Sequence, residues 1–254
     1  MVKYAMAIDL NRCMGCRACM EACKVENNTG RNMFWMFVFK QEEGEYPNAT
    51  VRYTPRPCMH CDNAPCVKVC PVGARFKSET GAVLTDYDRC VGCRYCQVSC
   101  PYGVNYFNWK EPADNQYYKW NKGEAEGVFG KGDVKSLANG SIAPYRNPTL
   151  DEPHGAEGKL VAGGGHYVGV IEKCTFCVQR TDKGLDPACV ANCPAFVYTF
   201  GDLDDPESKI SNLLASKPSS RLLAEANTQP RVYYLGTPMS LEHHKHLENI
   251  KQEV

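Results

Sequence analysis

The chain's 16 cysteines fall into four groups of four, with none left over. The groups are Cys13, Cys16, Cys19 and Cys23; Cys58, Cys61, Cys66 and Cys70; Cys90, Cys93, Cys96 and Cys100; and Cys174, Cys177, Cys189 and Cys193. Each opens with two cysteines separated by two residues and closes with two separated by three. The two-residue gap lets both sulfurs meet one metal centre while the intervening amides turn toward it. Cysteines this close are awkward to bridge as disulfides. Structural zinc sites separate two cysteine pairs by a dozen or more residues, a pattern that the fourth group taken alone resembles and the first and third do not.

The third group, closed by Pro101, is letter for letter the bacterial ferredoxin run, whose first three thiolates bind one [4Fe–4S] cluster and whose fourth binds a neighbouring one. Applied to all four groups, this predicts four [4Fe–4S] clusters with crossed ligands. Cys13, Cys16, Cys19 and Cys193 hold one, and Cys174, Cys177, Cys189 and Cys23 hold its partner. Cys90, Cys93, Cys96 and Cys70 hold a third, and Cys58, Cys61, Cys66 and Cys100 a fourth. The third and fourth cysteines of a run lie about 6 Å apart along a helix, or at most about 14 Å apart if extended. Clusters that share such a run are close neighbours, as fast electron exchange requires, and their assembly is coupled to folding. Pro71, Pro101 and Pro194 follow the last cysteine of three groups, where they fix φ and remove an amide, whereas Lys24 follows Cys23.

The spacing also predicts the architecture. Nineteen residues separate Cys70 from Cys90, including the strand-like Gly81–Thr85, so groups two and three form one two-cluster unit. Groups one and four must close around it from distant parts of the chain. The expected fold is α+β: two interleaved ferredoxin-like two-cluster units with a long insert and a C-terminal docking tail. The boundaries are 1–53 plus 167–202 for the discontinuous unit, 54–108 for the second, 109–166 for an insert or docking loop and 203–254 for the C-terminal docking extension. A loop as long as 109–166 is usually functional or partner-bound. The apolar run Met33–Phe39 followed by the turn-like Gln41–Pro47 predicts a hairpin. Helix is expected around Ser208–Ala215 and strand over Arg231–Leu235.

Charge is balanced, 29 basic against 29 acidic residues, which gives no general attraction to nucleic acid or to an anionic membrane surface. The longest apolar stretch, Met33–Phe39, has seven residues, against about 20 for a membrane-spanning helix, so no direct span is expected. Met1–Leu10 carries Lys3 and Asp9 and leads at once into Cys13, so no removable secretory signal is expected there. Cysteines used as cluster ligands mature in a reducing compartment.

Local words join the cysteine spacing in pointing to a family: Ile8-Asp9 before Cys13, Arg56-Pro57-Cys58-Met59-His60-Cys61, Asp88-Arg89-Cys90-Val91-Gly92-Cys93-Arg94-Tyr95-Cys96, and Glu172-Lys173-Cys174-Thr175-Phe176-Cys177. Over about Lys3 to Asp202 the chain resembles the four-cluster ferredoxin-like iron–sulfur subunits of complex iron–sulfur molybdoenzymes, of the dimethyl sulfoxide, polysulfide, tetrathionate and arsenate reductase type. The resemblance implies a subunit without catalysis of its own. It would relay electrons between a molybdopterin-containing (Mo or W) catalytic subunit and an integral membrane anchor that handles quinones. Some relatives place Trp in the third group and hold a [3Fe–4S] cluster; Cys93 fills that slot here. The resemblance also implies membrane association through partners, on the outer (periplasmic) face after co-export with a signal-bearing partner, with the cytoplasmic face as the alternative. Two other readings keep the same chemistry: a free polyferredoxin-type carrier, and a relay subunit of a hydrogenase or formate dehydrogenase complex.

Lys173, Arg89 and Arg94 flank ligands, where positive charge raises a reduction potential. His60, inside the second group, is expected near the clusters or at the surface and not as a ligand. Tyr102, Tyr106, Phe107 and Trp109 are expected to pack the core, and His243, His244 and His246 to be solvated in a charged tail. Gly163-Gly164-Gly165 lacks the strand and helix of a cofactor loop.

Overall fold

Ala5, Met6, Ala7 and Ile8 alternate small with large apolar side chains; all four are completely buried, and they make Tyr4–Asp9 (β1) the spine of the molecule. The computed structural model describes residues 2–30, 32–109, 152–154, 158–161 and 167–237. On one side β1 pairs antiparallel with Tyr198–Asp202 (β8), Tyr4 opposite Asp202 and Ile8 opposite Tyr198. On the other it pairs in parallel with Val232–Leu235 (β9), Met6 beside Val232 and Asp9 beside Leu235. The extension read from the sequence as docking tail therefore contributes a core strand, with Val232 and Tyr234 fully buried. The expected helix is Lys209–Ser216 (α6), capped by Ser208, whose hydroxyl accepts from the Ser211 amide. Its Ile210 packs on Ala5 and Ala7 behind the sheet.

The expected hairpin is present as Phe37–Glu43 (β2) and Thr50–Arg56 (β3), in register from Phe37–Arg56 to Glu43–Thr50. Its turn lies later than Gln41–Pro47: Gln41, Glu42 and Glu43 remain paired, because buried Gln41 continues the strand's inward alternation. The helix Ala18–Asn27 (α1) precedes the hairpin. One-turn helices follow at Pro65–Lys68 (α2), Tyr95–Val98 (α3), Val178–Thr181 (α4) and Ala188–Ala191 (α5). Two ribbons complete the fold: Arg75–Lys77 (β4) with Val83–Thr85 (β5), and Tyr106–Phe107 (β6) with Ile171–Glu172 (β7). Helix α1 packs on α5, and α2 on α3, so the same arrangement occurs twice. One apolar core runs through both halves, from Met6, Cys19 and Trp35 to Cys61, Leu84 and Tyr102. No helix among the described residues is long and apolar enough to cross a membrane.

The expectations for Gly163–Gly165, for His243, His244 and His246, and for most of 109–166 fall outside the described residues, as does the tail beyond 237.

Candidate metal centres

The first and third groups are built on one local design, Arg-Cys-x-Gly-Cys-Arg, at Arg12–Arg17 and Arg89–Arg94. In each, the glycine and the second arginine are left-handed: Gly15 at φ 70° and Arg17 at 63°, Gly92 at 68° and Arg94 at 59°. Alternating handedness turns successive amides to one side, a concave arrangement suited to an anionic centre. Space as well as φ requires glycine. A Cβ on Gly15 would stand 2.3 Å from the Tyr53 ring, and one on Gly92 would stand 2.1 Å from the Gly169 carbonyl oxygen. Groups two and four bend at His60 and at Phe176 and Cys177, also left-handed. The third cysteine of each group, Cys19, Cys66, Cys96 or Cys189, then sits on a helix: α1, α2, α3 or α5.

This brings the sixteen cysteines together in four quartets, each around its own cavity. Cys13, Cys16, Cys19 and Cys193 line one, and Cys23, Cys174, Cys177 and Cys189 line the next. Cys58, Cys61, Cys66 and Cys100 line a third, and Cys70, Cys90, Cys93 and Cys96 a fourth. Every cavity takes three cysteines from one group and the last cysteine of another. Among the described residues no three Cys, His, Asp or Glu side chains converge closely enough to hold a single metal ion. The thiols ring a space instead, as the corners of a polynuclear cluster require.

The donor set fits an iron–sulfur cluster electrostatically as well. Burial pushes the Cys19, Cys66 and Cys174 thiols up to about 11, and those of Cys61 and Cys177 up to about 12. Such thiols become thiolates when a metal centre supplies the opposing charge. The chain also presents donors to the sulfurs. The Arg75 amide reaches Cys70 Sγ at 3.4 Å, the Val197 amide Cys193 Sγ at 3.4 Å, and the His60 amide Cys58 Sγ at 3.5 Å. The amides of Tyr102, Gly103 and Val104 turn toward Cys100, and Asn27 Nδ2 lies 3.5 Å from Cys23 Sγ. The turns that Pro71, Pro101 and Pro194 begin are thus the source of most backbone donors to the fourth cysteines.

The two halves meet where Cys174 lies against Cys58, whose backbone amide hydrogen-bonds it. Lys173, one of the flanking cations, is 2% exposed, donates to the carbonyls of Val83 and Cys174, and lines the Cys58 cavity. Arg89 and Arg94 are at the surface, where Arg94 stacks on Trp109 at 4.6 Å. Trp109 is itself 56% exposed, unlike buried Tyr102, so it covers Arg94 instead of filling the core. His60 is fully buried, stacked on Phe176 at 3.7 Å, and its Nδ1 accepts from the Val83 amide. Burial, with Lys173, Arg231 and Arg75 nearby, holds it neutral. Residues near the cavities that escaped sequence reasoning include Asn27, Arg75, Asn105 and Tyr198.

The chain matches family models described as 4Fe-4S dicluster domain over residues 12–74 and over 49–116 with 165–203. It is 40% identical to a dimethyl sulfoxide reductase iron–sulfur subunit assigned in Halobacterium salinarum, over 94% of this chain and 81% of that protein. It is 39% identical to the arsenate respiratory reductase iron–sulfur subunit of a Shewanella species, over 92% of this chain and 96% of the relative. One subunit of the tetrathionate reductase of Salmonella typhimurium is 34% identical, over 92% of this chain and 72% of its own length.

Proposed function

The chain belongs to the iron–sulfur subunits of complex iron–sulfur molybdoenzymes, and on that premise we propose that it relays electrons through four [4Fe–4S] clusters between a Mo or W catalytic subunit and a membrane anchor. Bound clusters supply one-electron chemistry at iron; the protein supplies ligands, spacing and electrostatics, and no substrate chemistry. Each quartet ligates one cluster: Cys13, Cys16, Cys19 and Cys193; Cys23, Cys174, Cys177 and Cys189; Cys58, Cys61, Cys66 and Cys100; Cys70, Cys90, Cys93 and Cys96. The observation that carries this reading is the gathering of all sixteen thiols into four cavities with none left over.

The interleaving follows from the same quartets, since residues 1–53 and 167–202 supply two of them and 54–108 the other two. The halves touch at Cys58 and Cys174. The Cys70 and Cys13 quartets are then the two ends of a line of four. At each end one cysteine is exposed, Cys93 or Cys16. Exposed apolar side chains stand nearby: Val91, Tyr95 and Val98 at one end, and Met14 and Phe196 at the other. These are surfaces on which partner subunits bring their own redox centres close, with 109–166 and the tail beyond 237 as further docking elements. The relay is thereby held at the membrane through its anchor, on the outer face by analogy with its reductase-type relatives.

Iron and acid-labile sulfide on anaerobically purified protein test the reading directly. About 16 of each per chain, with interacting signals in electron paramagnetic resonance (EPR) on reduction, are expected. Zinc in place of iron and sulfide would overturn it.

A further inference from the structure

The two end quartets share their first loop almost residue for residue, including the arginines on either side, Arg12 and Arg17 against Arg89 and Arg94. Arg17 and Arg94 are exposed and line equivalent cavities, so their effects on the two ends match. A difference arises five residues beyond the cysteine that each loop borrows. Counting from Cys70 that position is Arg75; counting from Cys193 it is Tyr198. Both side chains reach the third cysteine of the borrowing group. Arg75 Nη2 lies 3.3 Å from Cys96 Sγ, and the Tyr198 hydroxyl hydrogen-bonds Cys19. One donor carries a full positive charge and the other is neutral.

We propose that Arg75 sets the two ends of the relay at different potentials, holding the Cys70, Cys90, Cys93 and Cys96 cluster above the Cys13, Cys16, Cys19 and Cys193 cluster. The inference rests on the ligand assignment of the preceding subsection. Arg75 is 2% exposed, and besides Cys96 its guanidinium meets Asn105 Oδ1 at 3.0 Å. Its Nε and Nη1 are buried with no hydrogen-bond partner among the described residues. A buried guanidinium with two idle donors is costly unless an anion faces it. A guanidinium keeps its proton at any working pH, so the charge beside Cys96 is permanent.

One-electron reduction, by an electron passed from the adjoining centre of the relay, adds one negative charge to a thiolate-bound cluster. A fixed cation in a low-dielectric surrounding stabilises that added charge far more than a phenol does. No proton moves with the electron at this site, since Arg75 stays protonated throughout. Of the two end clusters, the one beside Arg75 is therefore reduced first.

The test is an EPR-monitored redox titration of the full chain loaded with its clusters, comparing wild type with Arg75→Gln, Arg75→Lys and Tyr198→Phe. Arg75→Gln keeps hydrogen-bonding capacity and removes charge. It is expected to lower one midpoint by at least about 59 mV, a tenfold change in the reduced-to-oxidised ratio at fixed potential for a one-electron centre. Arg75→Lys should stay within about threefold of wild type, and Tyr198→Phe should move a different signal by less than Arg75→Gln moves its own. Unchanged midpoints in Arg75→Gln at full iron content would overturn the proposal, as would Arg75→Lys falling as far as Arg75→Gln. Should Arg75→Gln lose a cluster, Asn105→Asp decides, because a carboxylate at that site neutralises the guanidinium in place. A lowered midpoint supports the proposal and an unchanged one sinks it. Wild-type iron well short of four clusters would instead refute the ligand assignment.

Discussion

Helix α1 runs for ten residues after the first loop, whereas α3, after an almost identical loop, stops after four. The cause is one residue. Cys100 is followed by Pro101, and proline disfavours the helical region for the residue before it. The same holds at Cys70-Pro71 and Cys193-Pro194, where α2 and α5 also last a single turn. Cys23 is followed by Lys24, so the helix continues to Asn27. The extra turns serve the cluster sites: Asn27 reaches Cys23 Sγ, and buried Gln179 ties Asn27 and Glu26 to α4. Lys24 Nζ donates to the carbonyls of Gly30 at 3.0 Å and Met33 at 2.9 Å, fixing the loop into the hairpin. A single ligand run thus gives either a compact turn or a scaffold helix, according to the residue after its last cysteine.

The sharpest way to break this comparison is to remove the borrowed ligand from each half. Cys193→Ser is expected to cost the cluster whose other ligands are Cys13, Cys16 and Cys19, and Cys70→Ser the one built on Cys90, Cys93 and Cys96. Each variant should lose about four iron atoms per chain or retain a cluster with three iron atoms, read from iron content and EPR. If Cys193→Ser damages instead the cluster of its own group, the crossed assignment is wrong.

Installing proline after Cys23 comes next. Lys24→Pro should destabilise the loaded protein by about 3 kcal/mol or more, since it strikes a helix interior and removes the Lys24 bonds to Gly30 and Met33. The temperature at which cluster absorbance bleaches is the measurement. A variant as stable as wild type would mean that the long helix is incidental to the first half.

The two glycine loops offer a finer contrast. Gly15→Ala and Gly92→Ala each force a non-glycine residue into the left-handed region, at about 1–3 kcal/mol. Gly92→Ala should be the worse, because its Cβ meets the Gly169 backbone carbonyl while that of Gly15 meets the Tyr53 ring, which can turn aside. Equal losses of bleaching temperature would count against that explanation.

What the sequence disclosed about these halves divides along physical lines. Spacing and periodicity are local, so the four cysteine runs, the β2–β3 hairpin, the α6 helix and the β9 strand were all legible. Pairing between distant strands has no local signature, and nothing in Val232–Leu235 shows that it lies beside β1. Buried polar Gln41 hid the true length of β2, because a glutamine reads as the start of a turn. Arg75 escaped because it does not flank a cysteine, where a cation's effect on a cluster is easiest to see. Its signal was present in the internal repeat: aligning Cys70 with Cys193 sets Arg75 against Tyr198. Lys173 was legible as a flanking cation, but its burial was not.

The smallest expected effect bears on whether the halves are separable at all. Ser208 caps α6, whose Ile210 packs on Ala5 and Ala7 of β1, in the half that carries Cys13. Ser208→Ala should cost about 1 kcal/mol. Two independent units would register this as earlier loss of the Cys13-side clusters alone. The structure argues otherwise, since Met6 and Ile8 of β1 share one continuous core with Met59, Leu84 and Tyr102 of the other half. All four clusters should therefore bleach together, a few degrees early, with their midpoint potentials unmoved. Two separate bleaching steps would show that the sharing of core residues does not extend to cooperative unfolding.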